Sequence, residues 1–274
     1  MNIPVEKTPR LTIPKLGLGT WQLRDAEGQK SVENALRLGY RHIDTAARYG
    51  NEAEVGNAIQ ASGVARGDIF LTSKVWWENL EPEPLYRSLE NSLSLLKTDY
   101  LDLFLIHWPT PAMDLEGAIK VLKAAKDAGQ IRAWGVSNFP VKLMKQVEDL
   151  GETPAALQVE YHALLSQAAL LEWCRPRQIV LEAYSPLAQG KLQDNETLAK
   201  IGEKYGASAS QVALAWLLRQ PGVVPIPKAS STRTQQANLD AIPLAAKLTA
   251  EDVAAIDALP KDQRMVKPDF APEW

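Results

Sequence analysis

Three apolar segments of the chain each end in an ionisable side chain of a different kind: "YRHID" in Asp44, "DIFLTSK" in Lys74 and "LDLFLIH" in His107. Tyr49 lies five positions beyond Asp44, in "RHIDTAARYGNE". Taken singly, Asp44 could cap the next helix and Tyr49 could be a packing aromatic with a solvated hydroxyl. Taken together, the four types fit a narrower chemistry. A phenol with its ordinary pKa of about 10 is a poor acid at neutral pH, and an ammonium beside it lowers that value. Asp44 would hold Lys74 charged and in place. A nitrogen of His107 facing the same point could orient a carbonyl oxygen. Such a set is a proton donor with a carbonyl holder, worth about 10²- to 10⁴-fold for the proton transfer. It contains no nucleophile and no hydride source, so a cofactor must supply the hydride.

These side chains meet only if their segments are neighbouring strands. Eight short Ile-, Val- and Leu-rich runs alternate with amphipathic stretches: 16–20, 40–44, 68–74, 101–107, 131–138, 156–161, 179–185 and 223–227. Most are continuously apolar, as strands covered on both faces are. Pro225 fits poorly in a central strand. Between them, Leu85, Leu89, Leu93 and Leu96 recur at helical spacing, with Pro82 and Pro84 near the helix start. Gly129 and Gly206 suit helix C-termini. The rhythm predicts a closed (β/α)₈ barrel, a TIM barrel, with a doubly wound sheet as the second choice. "VEKTPRLTIPK" could form a short β-hairpin in front of it. No linker divides the chain, so residues 1–274 are expected to form a single domain. In such a barrel the chemistry gathers where strands run into loops, which is where Asp44, Lys74 and His107 stand.

Composition narrows the partners. A net charge of −3 and a pI near 5.8 give no basic footprint for nucleic acid or a membrane surface. The single cysteine, Cys174, cannot form an internal disulfide, and no ligand cluster resembles a zinc site. No apolar run reaches the roughly 18 residues of a membrane span, and the first residues lack a secretory apolar core. A cytoplasmic protein is expected.

The chain resembles the aldo-keto reductases, through "LGLGTWQ", "YRHIDTAARYGNE", "TSKVWW", "LFLIHWP", "GVSNF", "QVEYH", "AYSPL" and "PIPKAS". The tetrad Asp44, Tyr49, Lys74 and His107 matches that family's residue for residue. The resemblance implies NADPH-dependent reduction of aldehydes and ketones, with Tyr49 as the general acid, by a monomer. It also explains why "GLGTWQ" places Gln22 where a dinucleotide fingerprint needs its third glycine. In the family the nicotinamide lies across the barrel mouth, which implies Ser137, Asn138 and Gln158 for its carboxamide. Tyr184 would stack on the ring, and Ser185 and Leu187 would follow the pyrophosphate. Each of these could singly be a strand-end hydrogen bond.

Lys228, Ser230 and Arg233, with Asn238 nearby, suit a 2′-phosphate. Two departures from the family stand here: Ala229 where many members carry serine, and Arg233 one residue nearer the lysine. Trp21, Trp76 and Trp108 are expected to wall the substrate pocket, although any one could be core. The short loop "WPTPAMD" implies a shallow, open pocket. The tail "KDQRMVKPDFAPEW" resembles the bacterial 2,5-diketo-D-gluconate reductase B group, implying small polar carbonyls such as 2,5-diketo-D-gluconate or methylglyoxal-like ketoaldehydes. Two other readings compete: a cofactor-binding regulatory protein of the same fold with little turnover, and a metal-dependent hydrolase.

Overall fold

The computed structural model describes residues 3–273; Met1, Asn2 and Trp274, the last residue of the "APEW" tail, lie outside it. The chain opens with the expected hairpin, β1 (Val5–Thr8) against antiparallel β2 (Leu11–Pro14). Among the described residues eight parallel strands follow, each pairing with its neighbour in sequence: β3 (Leu18–Gly19), β4 (His42–Asp44), β5 (Phe70–Val75), β6 (Leu101–Ile106), β7 (Ile131–Ser137), β8 (Ala156–Glu160), β9 (Val180–Tyr184) and β10 (Val223–Pro225). Every residue of β5 and β6 is buried, which is why both read as unbroken apolar runs.

The first and last strands close the ring. Gly17 donates to the Pro225 carbonyl at 3.1 Å, Gly19 donates to that of Pro227 at 3.2 Å, and Gly19 bridges Lys228 in parallel. A Cβ on Gly19 would sit 2.7 Å from the Ile226 carbonyl oxygen, and one on Gly17 2.6 Å from the His42 ring. These glycines serve the barrel seam, not a phosphate loop. The placement also accommodates Pro225. Its carbonyl faces the seam, where β3 is two residues long, while Ile226 makes the bond to Ala183 on β9. A missing N–H costs little there.

Among the described residues ten helices surround the strands: α1 (Asp25–Leu38), α2 (Glu52–Ser62), α3 (Pro82–Leu96), α4 (Leu115–Asp127), α5 (Val141–Asp149), α6 (Ala168–Cys174), α7 (Glu196–Tyr205), α8 (Ala209–Arg219), α9 (Thr232–Ala245) and α10 (Ala250–Asp257). α3 begins at Pro82 and buries Leu85, Leu89 and Leu96, with Leu93 half-covered at the edge of the stripe. Gly206 closes α7 with a left-handed φ of 63°. No helix among the described residues is long and apolar enough to cross a membrane. The hairpin places Leu11 and Ile13 against Phe70, Leu103, Leu105, Val180 and Val224, so one end of the barrel is sealed by apolar side chains. The opposite end, where the strands finish, carries the polar residues.

Candidate active site

Asp44 ends β4 and Lys74 is the fifth residue of β5, its neighbour. The Lys74 ammonium donates to Asp44 Oδ1 at 2.6 Å and to the Thr45 carbonyl at 2.8 Å, while Gln158 Nε2 donates to Asp44 Oδ2 at 2.8 Å. Asp44 therefore caps no helix. Burial works against charge on both groups. Asp44 and Tyr49 outweigh it at Lys74, whose pKa is raised; at Asp44 burial is the larger effect and the pKa is raised, with Lys74 and Gln158 acting against it in favour of the carboxylate.

Tyr49 closes a short 3₁₀ turn, Ala47–Tyr49, followed by Gly50 with a φ of 65°. The loop is stapled by Asn51, whose oxygen accepts from the Thr45 hydroxyl at 2.8 Å and whose nitrogen donates to the Thr20 and Leu23 carbonyls at 2.8 Å. The Lys74 ammonium lies 5.1 Å from the centre of the Tyr49 ring. Burial raises the phenol's pKa and Lys74 pulls it back, leaving a net upward direction. Lys74 acts in the expected direction, lowering the phenol's pKa, but desolvation is the larger effect, and the resting group is the protonated phenol. His107 follows β6 and meets Tyr49 and Trp76 edge-on, with ring centres 5.6 and 5.3 Å away. Burial, then Lys74, pushes its pKa well below the ordinary value, so the ring is neutral, and buried Nδ1 has no hydrogen-bond partner among the described residues. A neutral imidazole carries one donor and one acceptor nitrogen.

A cleft of about 1450 Å³ runs from Tyr49 and His107 to the start of α9. Asn138, Gln158, Tyr184, Ser185, Leu187, Lys228, Ser230, Arg233 and Asn238 line it, with Trp21, Trp76 and Trp108. Ser137 and Lys74 do not. Ser137 is fully buried and its hydroxyl accepts from Asn138 Nδ2 at 2.9 Å, so it backs Asn138 instead of facing the cleft. Asn138, at a φ of 62°, also donates to the His107 carbonyl at 2.9 Å and accepts the Tyr184 hydroxyl at 2.8 Å, which fixes that ring. Gln22, Ser185 and Gln189 line the same cleft with left-handed backbone (φ 68°, 47° and 53°). Such conformations gather where a surrounding structure imposes them for function. The Ala229 carbonyl is held by Ser31 and Gln235, each at 3.1 Å.

Several contributors carry no motif in the sequence. Phe270 packs edge-on against Trp76 and Trp108 (5.8 and 5.5 Å) and tilted against Trp77 (5.6 Å), so the tail completes the aromatic wall. Glu160 fastens that tail by accepting from the Met265 and Val266 N–H groups at 2.7 and 2.9 Å. His162 backs Glu160 at 3.0 Å and is a structural residue.

Glu182 is fully buried beneath Gln158, 3.4 Å from its Nε2 and 3.4 Å from Nε2 of His42. Burial, reinforced by Asp44, pushes its pKa up to about 8, while burial takes His42 down to about 3, so both are neutral at pH 7. The unfolded chain would lose the Glu182 proton near the ordinary value of 4.5, and the native protein keeps it to about 8. Stability from this group is therefore complete below about 4.5 and is lost as pH rises to about 8. Glu182→Gln is expected to flatten that slope, on the order of a few kcal/mol. Urea midpoints from about pH 5 to about pH 9 measure it, and an unchanged slope in the variant would contradict the assignment.

Residues 15–261 match the Aldo/keto reductase family. Methylglyoxal reductase DkgB of Escherichia coli O157:H7 is 42% identical over 269 residues, covering 96% of this chain and all of that one. A solved structure provisionally named a 2,5-diketo-D-gluconic acid reductase B superposes with a TM-score of 0.95 at 38% identity, covering 99% of this chain and 97% of that one. An aldo-keto reductase solved with NADPH superposes with a TM-score of 0.89 at 33% identity, covering 98% and 91%. With a match along almost the whole barrel, this chain belongs to the aldo/keto reductase family.

Proposed function

We propose that the protein reduces small polar aldehydes and ketones to alcohols with NADPH, Tyr49 donating the proton, and that methylglyoxal-like ketoaldehydes are among its substrates. The observation that carries this reading is the convergence of Asp44, Lys74, Tyr49 and His107 at the open end of the barrel. A neutral His107 nitrogen can donate to the substrate's oxygen and hold the carbonyl toward Tyr49. As negative charge grows on that oxygen, the Tyr49 hydroxyl proton moves to it, and the Lys74 ammonium stabilises the phenolate left behind. Asp44 keeps Lys74 protonated and fixed. When bound, NADPH supplies the hydride.

The residues present fit such a cofactor. Asn138 and Gln158 line the cleft with amide oxygens that can still accept, their N–H groups being held by His107, Ser137 and Asp44, and the fixed ring of Tyr184 offers a flat face. Lys228 and Arg233 are exposed at the far end, and no carboxylate among the described residues pairs with either. Cations so placed suit a 2′-phosphate. The two relatives named for methylglyoxal and for a diketogluconic acid favour small, polar carbonyls.

The assay is NADPH consumption against a panel of aldehydes and keto-sugars that includes methylglyoxal. Lys228→Ala and Arg233→Ala are each expected to raise KM for NADPH about tenfold, as loss of one solvent-screened charge-assisted bond would do. KM for NADH should change much less. Equal effects on the two cofactors would remove the 2′-phosphate role.

A further inference from the structure

The lining of the cleft is charged against the trend of the molecule. The protein carries a net charge of −3, yet Arg24, Arg48, Lys228, Arg233 and Lys267 face the cleft against one carboxylate, Asp44, already paired with Lys74. Lys228 and Arg233 belong to the phosphate end proposed above. Arg48 stands at the reacting end. It directly precedes Tyr49 in the turn Ala47–Tyr49, and its guanidinium carbon lies over Trp76, 5.2 Å from the ring centre. The His107 ring is 5.3 Å from that same indole. The exposed Arg48 has no hydrogen bond and no carboxylate partner among the described residues, although the chain holds 33 acidic side chains. Lys267 likewise lines the cleft without a carboxylate, three positions before Phe270, which packs on Trp76.

We propose that Arg48 anchors a carboxylate on the substrate, so that the protein favours oxo acids and carboxylated aldehydes over neutral carbonyls of the same size. This rests on the carbonyl-reductase reading and assigns its substrate class. The guanidinium presents paired donors that match a carboxylate at two points, and an ammonium on a flexible stem would not. Stacking on Trp76 holds the fork in place near the reacting centre. Guanidinium and imidazole share one indole, a span that a short oxo acid or a carboxybenzaldehyde bridges. The carbonyl would meet Tyr49 and His107 while the acid group meets Arg48. Because Arg48 is exposed, the preference is moderate and weakens with salt.

The test compares kcat/KM for 4-carboxybenzaldehyde with that for benzaldehyde, and succinic semialdehyde with butanal, at low and high salt. The parent is expected to favour the carboxylated member of each pair. In Arg48→Ala the ratio should fall about tenfold, the equivalent of one charge-assisted contact. Arg48→Glu should lower it further, and Arg48→Lys should retain part of it. A ratio that Arg48→Ala and Arg48→Glu leave within about twofold overturns the anchor. Binding of 4-carboxybenzoate, read by quenching of tryptophan fluorescence, provides a measure free of turnover. Its Kd should rise about tenfold in Arg48→Ala, and an unchanged Kd overturns the anchor even if no aldehyde is reduced. A parent that reduces no aldehyde but binds 4-carboxybenzoate through Arg48 contradicts the reductase reading alone.

Discussion

Replacing Tyr49 by phenylalanine is expected to lower kcat by about 10²- to 10⁴-fold while the Kd for NADPH stays near that of the parent. The substitution removes one oxygen and keeps the ring, so the edge-on contact with His107 and the approach of Lys74 to the ring face survive. Stability should change little. What disappears is the phenolic hydroxyl of the ring that the buried ammonium faces. The pKa direction sharpens this expectation. A phenol at its ordinary pKa of about 10 is already protonated at neutral pH and burial raises that pKa further, so the donor is loaded before substrate arrives, and Lys74 limits the cost of losing the proton during the reaction. A drop in kcat with intact cofactor binding, measured by fluorescence titration, separates a lost donor from a collapsed site. Activity in Tyr49→Phe within about threefold of the parent would contradict the assignment, given the size expected for a positioned acid.

Removing the partner of Lys74 is the second large effect. Lys74 is fully buried and Asp44 nearly so, and their 2.6 Å pair is completed by the Thr45 carbonyl and Gln158. Asp44→Ala leaves a desolvated ammonium and strips Gln158 of its 2.8 Å acceptor, so a loss of about 3–5 kcal/mol is expected. Lys74→Met strands the carboxylate and should cost a similar amount. The double variant Asp44→Ala/Lys74→Met removes both charges together and should recover much of that stability while activity stays lost. Urea denaturation of the four proteins closes the cycle. Additive losses, or a cost below about 1 kcal/mol for Asp44→Ala, would mean that the pair is not the buried clamp described here.

The strands were readable because β5 and β6 are covered on both faces, which writes them as apolar runs, and because the polar residue that ends such a run lies at the open mouth. That rule marks Asp44, Lys74 and His107, and the first loop carries Tyr49. Other features depend on contacts between distant parts of the chain, which leave no local pattern. Glu160 meets the Met265 N–H across 105 positions, and Phe270 reaches three tryptophans from the tail. Gly17 and Gly19 imitate the start of a phosphate loop, but the need they meet is room for the His42 ring and the Ile226 carbonyl. Ser137 has the right chemistry for the cleft, yet alternation along β7 turns it inward, and only the left-handed Asn138 after it faces the open end. Glu182 gave no signal either, because one carboxylate within "IVLEAYS" looks like an outward-facing strand residue until the barrel closes around it.

The central claim is that this barrel passes hydride from NADPH to a carbonyl carbon while Tyr49 protonates the oxygen. Its most direct test is one reaction of the parent protein with methylglyoxal and NADPH deuterated at the transferable position of the nicotinamide, with Tyr49→Phe in parallel. The expected product is an alcohol carrying one deuterium on the carbinol carbon, seen by mass spectrometry in step with NADPH consumption and nearly absent with the variant. Consumption of NADPH without deuterium in the alcohol, or equal labelling by parent and variant, would contradict the account.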